Sequence, residues 1–163
     1  MIEVRDAESA DLEAILAIYN DAVVNTTAVY DYVPRTMDAE RTWFAAKQEQ
    51  KLPVLAAVQD GAVAGFASYG PFRPWPAYLH TVENSVYVAP DRRGQGVGAA
   101  LLGPLIERAR AAGLHTVVAG IDATNTASIR LHAKFGFIEA GVFRQVGWKF
   151  DRWLDLVFLQ KML

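Results

Sequence analysis

Three stretches carry residues whose types and spacing could do chemistry. The first is Arg93-Gly94-Gln95-Gly96-Val97-Gly98, inside "DRRGQGVGAALL". It follows the strand-like "ENSVYV" and the turn "APD", and it opens an apolar run at helical spacing. The first N–H groups of a helix lack internal partners and carry partial positive charge. Glycines let a ligand approach such a backbone closely. The combination is an anion site suited to a diphosphate, with Arg92 and Arg93 adding charge at its edge. The plainer alternative is a glycine-rich turn that only caps the helix. Two other phosphate loops are excluded. No Lys-Ser/Thr follows, as G-x-x-x-x-G-K-[ST] requires, and Ala99-Ala100-Leu101 after Gly98 breaks G-x-G-x-x-G.

The second stretch is "TVENSVYV", with Glu83 in its middle. Strand alternation groups Glu83 with Thr81, Ser85 and Tyr87, opposite Val82, Val86 and Val88. A carboxylate in a central strand is costly unless it is partnered or useful. It is either one half of an ion pair with an arginine or a general base. The third stretch, "PFRPWPAY", holds three prolines and is irregular. Arg73 beside Trp75 and Tyr78 suits a small anionic or strongly polar ligand, although ordinary packing accounts for an aromatic equally well. His80 and His115 have no acidic partners at metal-ligand spacing and cysteine is absent, so neither a metal site nor a disulfide is expected.

These pieces need elements to hold them. The spacing predicts a strand over "IEVRDA" and a helix from about Ala10 to Val24, capped by Ser9, with Leu12, Ile15, Leu16 and Tyr19 on one face. A second helix spans Asp38 to Lys51. "LPVLAAVQDGAVAGFASYG" reads as a hairpin turning at Asp60-Gly61. A strand covers Leu79 to Val88, a helix Gly96 to Ala112, a strand "HTVVAGI" and a helix Asn125 to Phe135. Strands near 137–145 and 149–162 finish the chain, the last covered on both faces. Pro104 predicts a bend in its helix. The order is mixed, α/β or α+β, in a single domain over residues 1–163. The net charge of −2 gives no reason to expect nucleic acid or an anionic membrane. No apolar run approaches the roughly 20 residues of a membrane helix, and the acidic "MIEVRDAESADLE" has no signal-peptide core, so the cytoplasm is the expected location.

The motifs also resemble a family. Arg93 to Gly98 matches R-x-x-G-x-G, the acetyl-CoA pyrophosphate signature of the GNAT superfamily of N-acetyltransferases. "NTASIRLHAKFGF" (Asn125 to Phe137) looks like its second CoA motif. "IYNDAVVNTTAVYD", "SYGPFRP", "AYLHTVENSVYV" and "GWKFDRWLDLVFLQ" are similar to the phosphinothricin and methionine sulfoximine/methionine sulfone acetyltransferase branch. The resemblance covers nearly the whole chain. It implies the GNAT fold, a mixed, mostly antiparallel splayed sheet with helices on both sides. CoA would lie between the strand ending at Val88 and the one ending near Ile121.

Carried over residue by residue, the resemblance implies that Val86, Tyr87 and Val88 bind the pantetheine arm. Arg93, Gly94, Gln95, Gly96, Val97, Gly98 and Ala99 would hold the pyrophosphate, with Asn125 and Ser128 at the far end of the arm. Glu83 falls where the family has its glutamate base, and His132 where many members place the proton donor for the leaving thiolate. Tyr30, Arg73, Trp75 and Tyr78, with Glu83, would form the substrate pocket. Arg73-Pro74-Trp75 is close to the pattern of the methionine sulfone enzymes. The phosphinothricin enzymes tend to have a basic residue at both 73 and 75, so Trp75 counts against phosphinothricin itself. The implied activity is acetyl transfer from acetyl-CoA to the α-amine of a small amino-acid-like substrate, without a metal. The alternatives are acetylation of protein N-termini, or a non-catalytic acyl-CoA-binding module. The apolar tail "GWKFDRWLDLVFLQKML" further implies a homodimer.

Overall fold

The computed structural model describes residues 1–163. Seven strands form one sheet: β1 (Ile2–Asp6), β2 (Val54–Gln59), β3 (Ala62–Pro71), β4 (Thr81–Val88), β5 (Thr116–Asp122), β6 (Ile138–Lys149) and β7 (Arg152–Met162). Four α-helices flank it: α1 (Leu12–Asn25), α2 (Met37–Glu49), α3 (Val97–Ala111) and α4 (Thr126–Lys134). The strand order is β1-β2-β3-β4-β5-β7-β6, and only β4 and β5 run parallel. This is the mixed, mostly antiparallel sheet with helices on both sides that the resemblance implies.

The sheet separates two cores because neighbouring residues point to opposite faces. Leu55 and Ala67 join Leu101, Leu102 and Leu105 of α3. Val54 and Phe66, one residue away on each strand, join Ile15 and Tyr19 of α1 and Phe44 of α2. The helical stripe Val97, Leu101, Leu102, Leu105, Ile106 and Ala109 is buried throughout. α3 runs through Pro104, which offers no N–H to the Ala100 carbonyl. The β2–β3 turn is a two-residue loop with φ 53° at Asp60 and 78° at Gly61, the twist such a hairpin favours.

Several boundaries differ from expectation. α1 begins at Leu12, after a single 3₁₀ turn over Ser9–Asp11. Ser9 is not its cap: the Asp11 carboxylate accepts the Glu8 N–H at 2.8 Å and also holds Arg5. Leu16 is only half-buried, and Ile18 takes its place in the core. Leu79 and His80 form a turn before β4. β6 extends to Lys149, and the chain reverses at Phe150-Asp151 rather than before Lys149. β6 carries two register shifts, between Glu139 and Gly141 and between Phe143 and Gly147. Such irregularities disrupt simple alternation, which is why the strand looked shorter in the sequence.

The feature that makes a site is where β4 leaves β5. The two pair only from Thr81 to Glu83 against Thr116 to Val118. Beyond that, β4 stays with β3 through Val88, and β5 stays with β7 through Asp122. Residues 84–88 therefore have a strand on one edge and an opening on the other.

Candidate active site

A groove of about 850 Å³ starts at the N-terminus of α3. Val86 to Val88, the loop before α3, the start of α4 and the C-terminal end of α1 wall it. Gly94 and Gly96 have φ of 75° and 89°, and a Cβ on either would meet nothing within 4 Å. The missing side chains leave the helix N-terminus open to a ligand. Gly98 has a different reason to be glycine: its Cβ would come 3.0 Å from Leu131 Cδ2, so it lets α3 and α4 pack closely. Arg93 donates to Asp21 of α1 at 3.0 Å and Arg92 to Asp60 at 2.8 Å, which ties the loop down on both sides. Gln95 turns its side chain to the Asp91 carbonyl and Gln59 and does not line the groove. Val97 places its side chain in the core, while Ala99 lines the groove. Asn125 caps α4 by accepting the Ser128 N–H at 3.1 Å.

Where the strands part lies a narrower space of about 60 Å³, lined by Asn84 to Tyr87, Ala119 to Asp122 and His132. His132 is 3% exposed. Its Nδ1 lies 2.8 Å from the Ser128 carbonyl and its Nε2 2.9 Å from Asn84 Nδ2. A carbonyl only accepts, so Nδ1 carries the proton and Nε2 accepts from Asn84. Burial pushes the imidazole pKa down, against the Ser128 carbonyl, which raises it. His132 is thus neutral and has no N–H turned to the opening. Asn84 Oδ1 and Asp122 Oδ2, both buried, have no protein donor. Two unpartnered acceptors beside an open strand edge fit a ligand rich in amide N–H groups, as the pantetheine arm is.

Glu83 points to the other face. Gly70 of β3 and Val118 of β5 lie opposite it. A Cβ at Gly120 would stand 3.0 Å from Glu83 Oε1 and 3.2 Å from Phe158 Cε1, so this glycine makes room for the carboxylate. Burial raises the Glu83 pKa, and Arg73, 4.0 Å away, pulls it back. Glu83 also borders a cavity of about 220 Å³ shared with Tyr19, Arg35, Lys47, Ser68 and Tyr87. Burial pushes the Lys47 ammonium down to about 8 and the Tyr87 phenol up to about 12. Lys47 donates to the Tyr69 carbonyl at 2.7 Å, whereas Arg35 pairs with the fully buried Glu40 at 2.6 Å.

The acetyltransferase (GNAT) family model matches residues 12–137, a span that contains both CoA loops and Glu83. The chain belongs to the GNAT family. It is an N-acetyltransferase. It is 53% identical to an L-methionine sulfoximine/L-methionine sulfone acetyltransferase of Pseudomonas paraeruginosa, covering 96% of this chain and 92% of the relative. It is 44% identical to a phosphinothricin N-acetyltransferase of Alcaligenes faecalis, covering 98% and 82%. Among solved structures, the yncA acetyltransferase of Salmonella typhimurium with its cofactor acetyl-CoA superposes with a TM-score of 0.98 at 44% identity, covering 100% and 94%.

In this GNAT enzyme the residues expected around the substrate divide into two groups. Arg73 approaches Glu83, but its Nη1 already donates to the Phe72 carbonyl at 2.7 Å and its guanidinium lies 4.2 Å over the Phe72 ring. Tyr78 packs edge-on to Phe72 at 5.6 Å and to Trp75 at 6.5 Å, and Trp75 is 63% exposed. Phe72 in turn meets Phe158 of β7. Tyr30 stands apart from that aromatic group: its ring lies over Gly147 of β6, where a Cβ would come within 2.8 Å, and burial, then the charge of Asp122 beside the strand opening, raises its phenol pKa. Sequence reasoning missed Phe72, Phe158, Asn84 and Lys47. Gly120 was the available signal, since a lone glycine inside a strand marks a close approach.

Proposed function

We propose that this enzyme transfers acetyl from acetyl-CoA to the α-amine of small amino-acid-like substrates, with methionine sulfone and sulfoximine favoured over phosphinothricin. The observation that carries this reading is the half-buried Glu83 beside Arg73, at the point where β4 opens onto the cofactor groove. A free amino acid is mostly protonated at neutral pH, because amine pKa values run from about 7.8 for a peptide terminus to about 10.4 for a lysine side chain. Glu83, acting through water, removes a proton from the ammonium. The amine then attacks the thioester carbonyl. The unpaired edge of β4 near Ser85 to Tyr87 offers N–H groups to the developing oxyanion. Collapse breaks the C–S bond, and CoA leaves as thiolate and takes up a proton.

His132 serves this reaction by position. A neutral ring that accepts from Asn84 holds that side chain, and through it α4, against β4. Acting as the acid would require a charged imidazole and an Asn84 amide turned over. Arg73 takes the polar head of the substrate, with Phe72 and Tyr78 as apolar walls. The exposed Trp148 and Trp153, 4.9 Å apart on the β6–β7 hairpin, together with Phe143 and Val146, support a homodimer through this face. Light scattering should then give twice the 17.9 kDa chain mass, and the chain mass alone at micromolar concentration would contradict it.

A free-thiol assay over amino acids, their sulfone and sulfoximine analogues and N-terminal peptides tests the substrate. Thiol release with the sulfone well above that with plain methionine is expected. Strong release with peptides and none with free amino acids would overturn the small-molecule reading.

A further inference from the structure

The turn between β6 and β7 is made of Phe150 and Asp151, with φ of 52° and 56°. Two-residue hairpins of this kind favour Asn, Asp and Gly, and a bulky residue at positive φ is strained. Asp151 fits that preference and Phe150 does not. A strained aromatic ring that is 52% exposed is an expensive choice for a surface turn.

The hairpin is fixed where it stands. Lys149, 4% exposed, donates from Nζ to the Val23 and Val29 carbonyls, at 2.6 Å each. Val23 lies in the last turn of α1, where a cation is favoured. Tyr32 adds a third tie by donating to the Trp148 carbonyl. The carbonyls that Lys149 holds bracket Asn25 to Ala28, which form one wall of the cofactor groove. Phe150 lines the same groove, as do α4 and Val86 to Val88 of the open β4 edge.

We infer that Phe150 is a cofactor-contacting residue: its ring covers the apolar pantetheine arm of acetyl-CoA from the hairpin side, and Lys149 is the positioning residue that holds it there. The inference rests on reading the groove as the CoA site. It adds a fourth contact to the diphosphate loop, the β4 edge and α4, from a part of the chain outside both CoA motifs. The strain at residue 150 is then the cost of presenting an aromatic face where the turn alone would take asparagine.

Calorimetry and thermal melting of Phe150→Asn and Phe150→Trp test this. Asparagine relaxes the turn and removes the ring, so the melting temperature should stay at or above that of wild type. Acetyl-CoA affinity should fall about three- to tenfold, the value of covering roughly half a phenylalanine side chain. Tryptophan should bring affinity back to within twofold of wild type. The asparagine variant should lose the same factor toward the acetyl thioester of 4′-phosphopantetheine, which lacks the nucleotide. Unchanged affinity in Phe150→Asn, or a loss confined to the nucleotide-bearing ligand, would overturn the inference. Failure of wild type itself to bind acetyl-CoA would instead overturn the reading of the groove.

Discussion

The two faces of β4 are built in different ways. On the α3/α4 face the candidate cofactor groove rests mainly on backbone, with positive φ at Gly94 and Gly96, a helix N-terminus and a strand edge left open after Glu83. On the α1/α2 face the candidate substrate site is made of side chains from distant segments: Glu83 of β4, Arg73 and Phe72 of the β3–β4 loop, and Phe158 of β7. A backbone site is set by a short contiguous motif. A side-chain site is set by how the whole sheet folds, so small changes at many positions can retune it.

That contrast can be broken most sharply at the glycines. Gly96→Val should abolish acetyl-CoA binding and leave the fold intact, since its Cβ meets only open space but the backbone is at φ 89°. Gly98→Val should fail differently. Its side chain strikes Leu131, so stability should drop by about 1–3 kcal/mol, read as a lower melting temperature. Calorimetry and melting of both variants separate the two. Near wild-type affinity in Gly96→Val would show that the loop is not the diphosphate site.

On the other face, Arg73→Ala should raise KM for methionine sulfone by roughly 10- to 150-fold, the worth of a charge-assisted hydrogen bond, and affect methionine much less. Equal losses on both would mean that Arg73 holds a group common to the two. His132→Phe should lower kcat by less than about tenfold, while melting falls because the Asn84 amide and the Ser128 carbonyl lose their partner. An acid role predicts a kcat loss of about 10²–10⁴ instead.

The smallest effect is electrostatic. Burial raises the Glu83 pKa above its ordinary 4.5, so the native state holds that proton more tightly than the unfolded chain. Native stability then falls as pH rises from 4.5 through the folded-state value. Glu83→Gln removes that cost and should melt slightly higher at pH 7, with the gain disappearing below 4.5. The side chain is 37% exposed, so the gain should stay below the roughly 2–4 °C that 1 kcal/mol gives in a domain of this size. A lower melting temperature at pH 7 would mean that Glu83 is held by an ion pair.

Legibility followed the same division. The loop before α3, the Asn125 turn and the α3 stripe could be read because helical period and glycine spacing are local. The splay of β4 from β5 came with the family resemblance and not from any local pattern, since it depends on β7 entering beside β5 and holding it through Asp122. Nor could the Asn84 partner of His132 be read, since that contact joins α4 to β4 across 48 residues. Tyr30 enters the expected pocket through the resemblance alone, with no local signal for its packing. Only the fold shows that Gly147 seats its ring. The sequence pattern places Phe150 inside the last strand, because nothing local marks a phenylalanine as a turn.

The division of labour between the two faces is tested most directly by Glu83→Gln, with acetyl-CoA affinity and single-turnover acetylation of methionine sulfone measured on the same sample at pH 7. The account predicts affinity within about twofold of wild type and turnover lower by about 10²–10⁴-fold. A turnover loss below fivefold, or a parallel loss of acetyl-CoA binding, would contradict it.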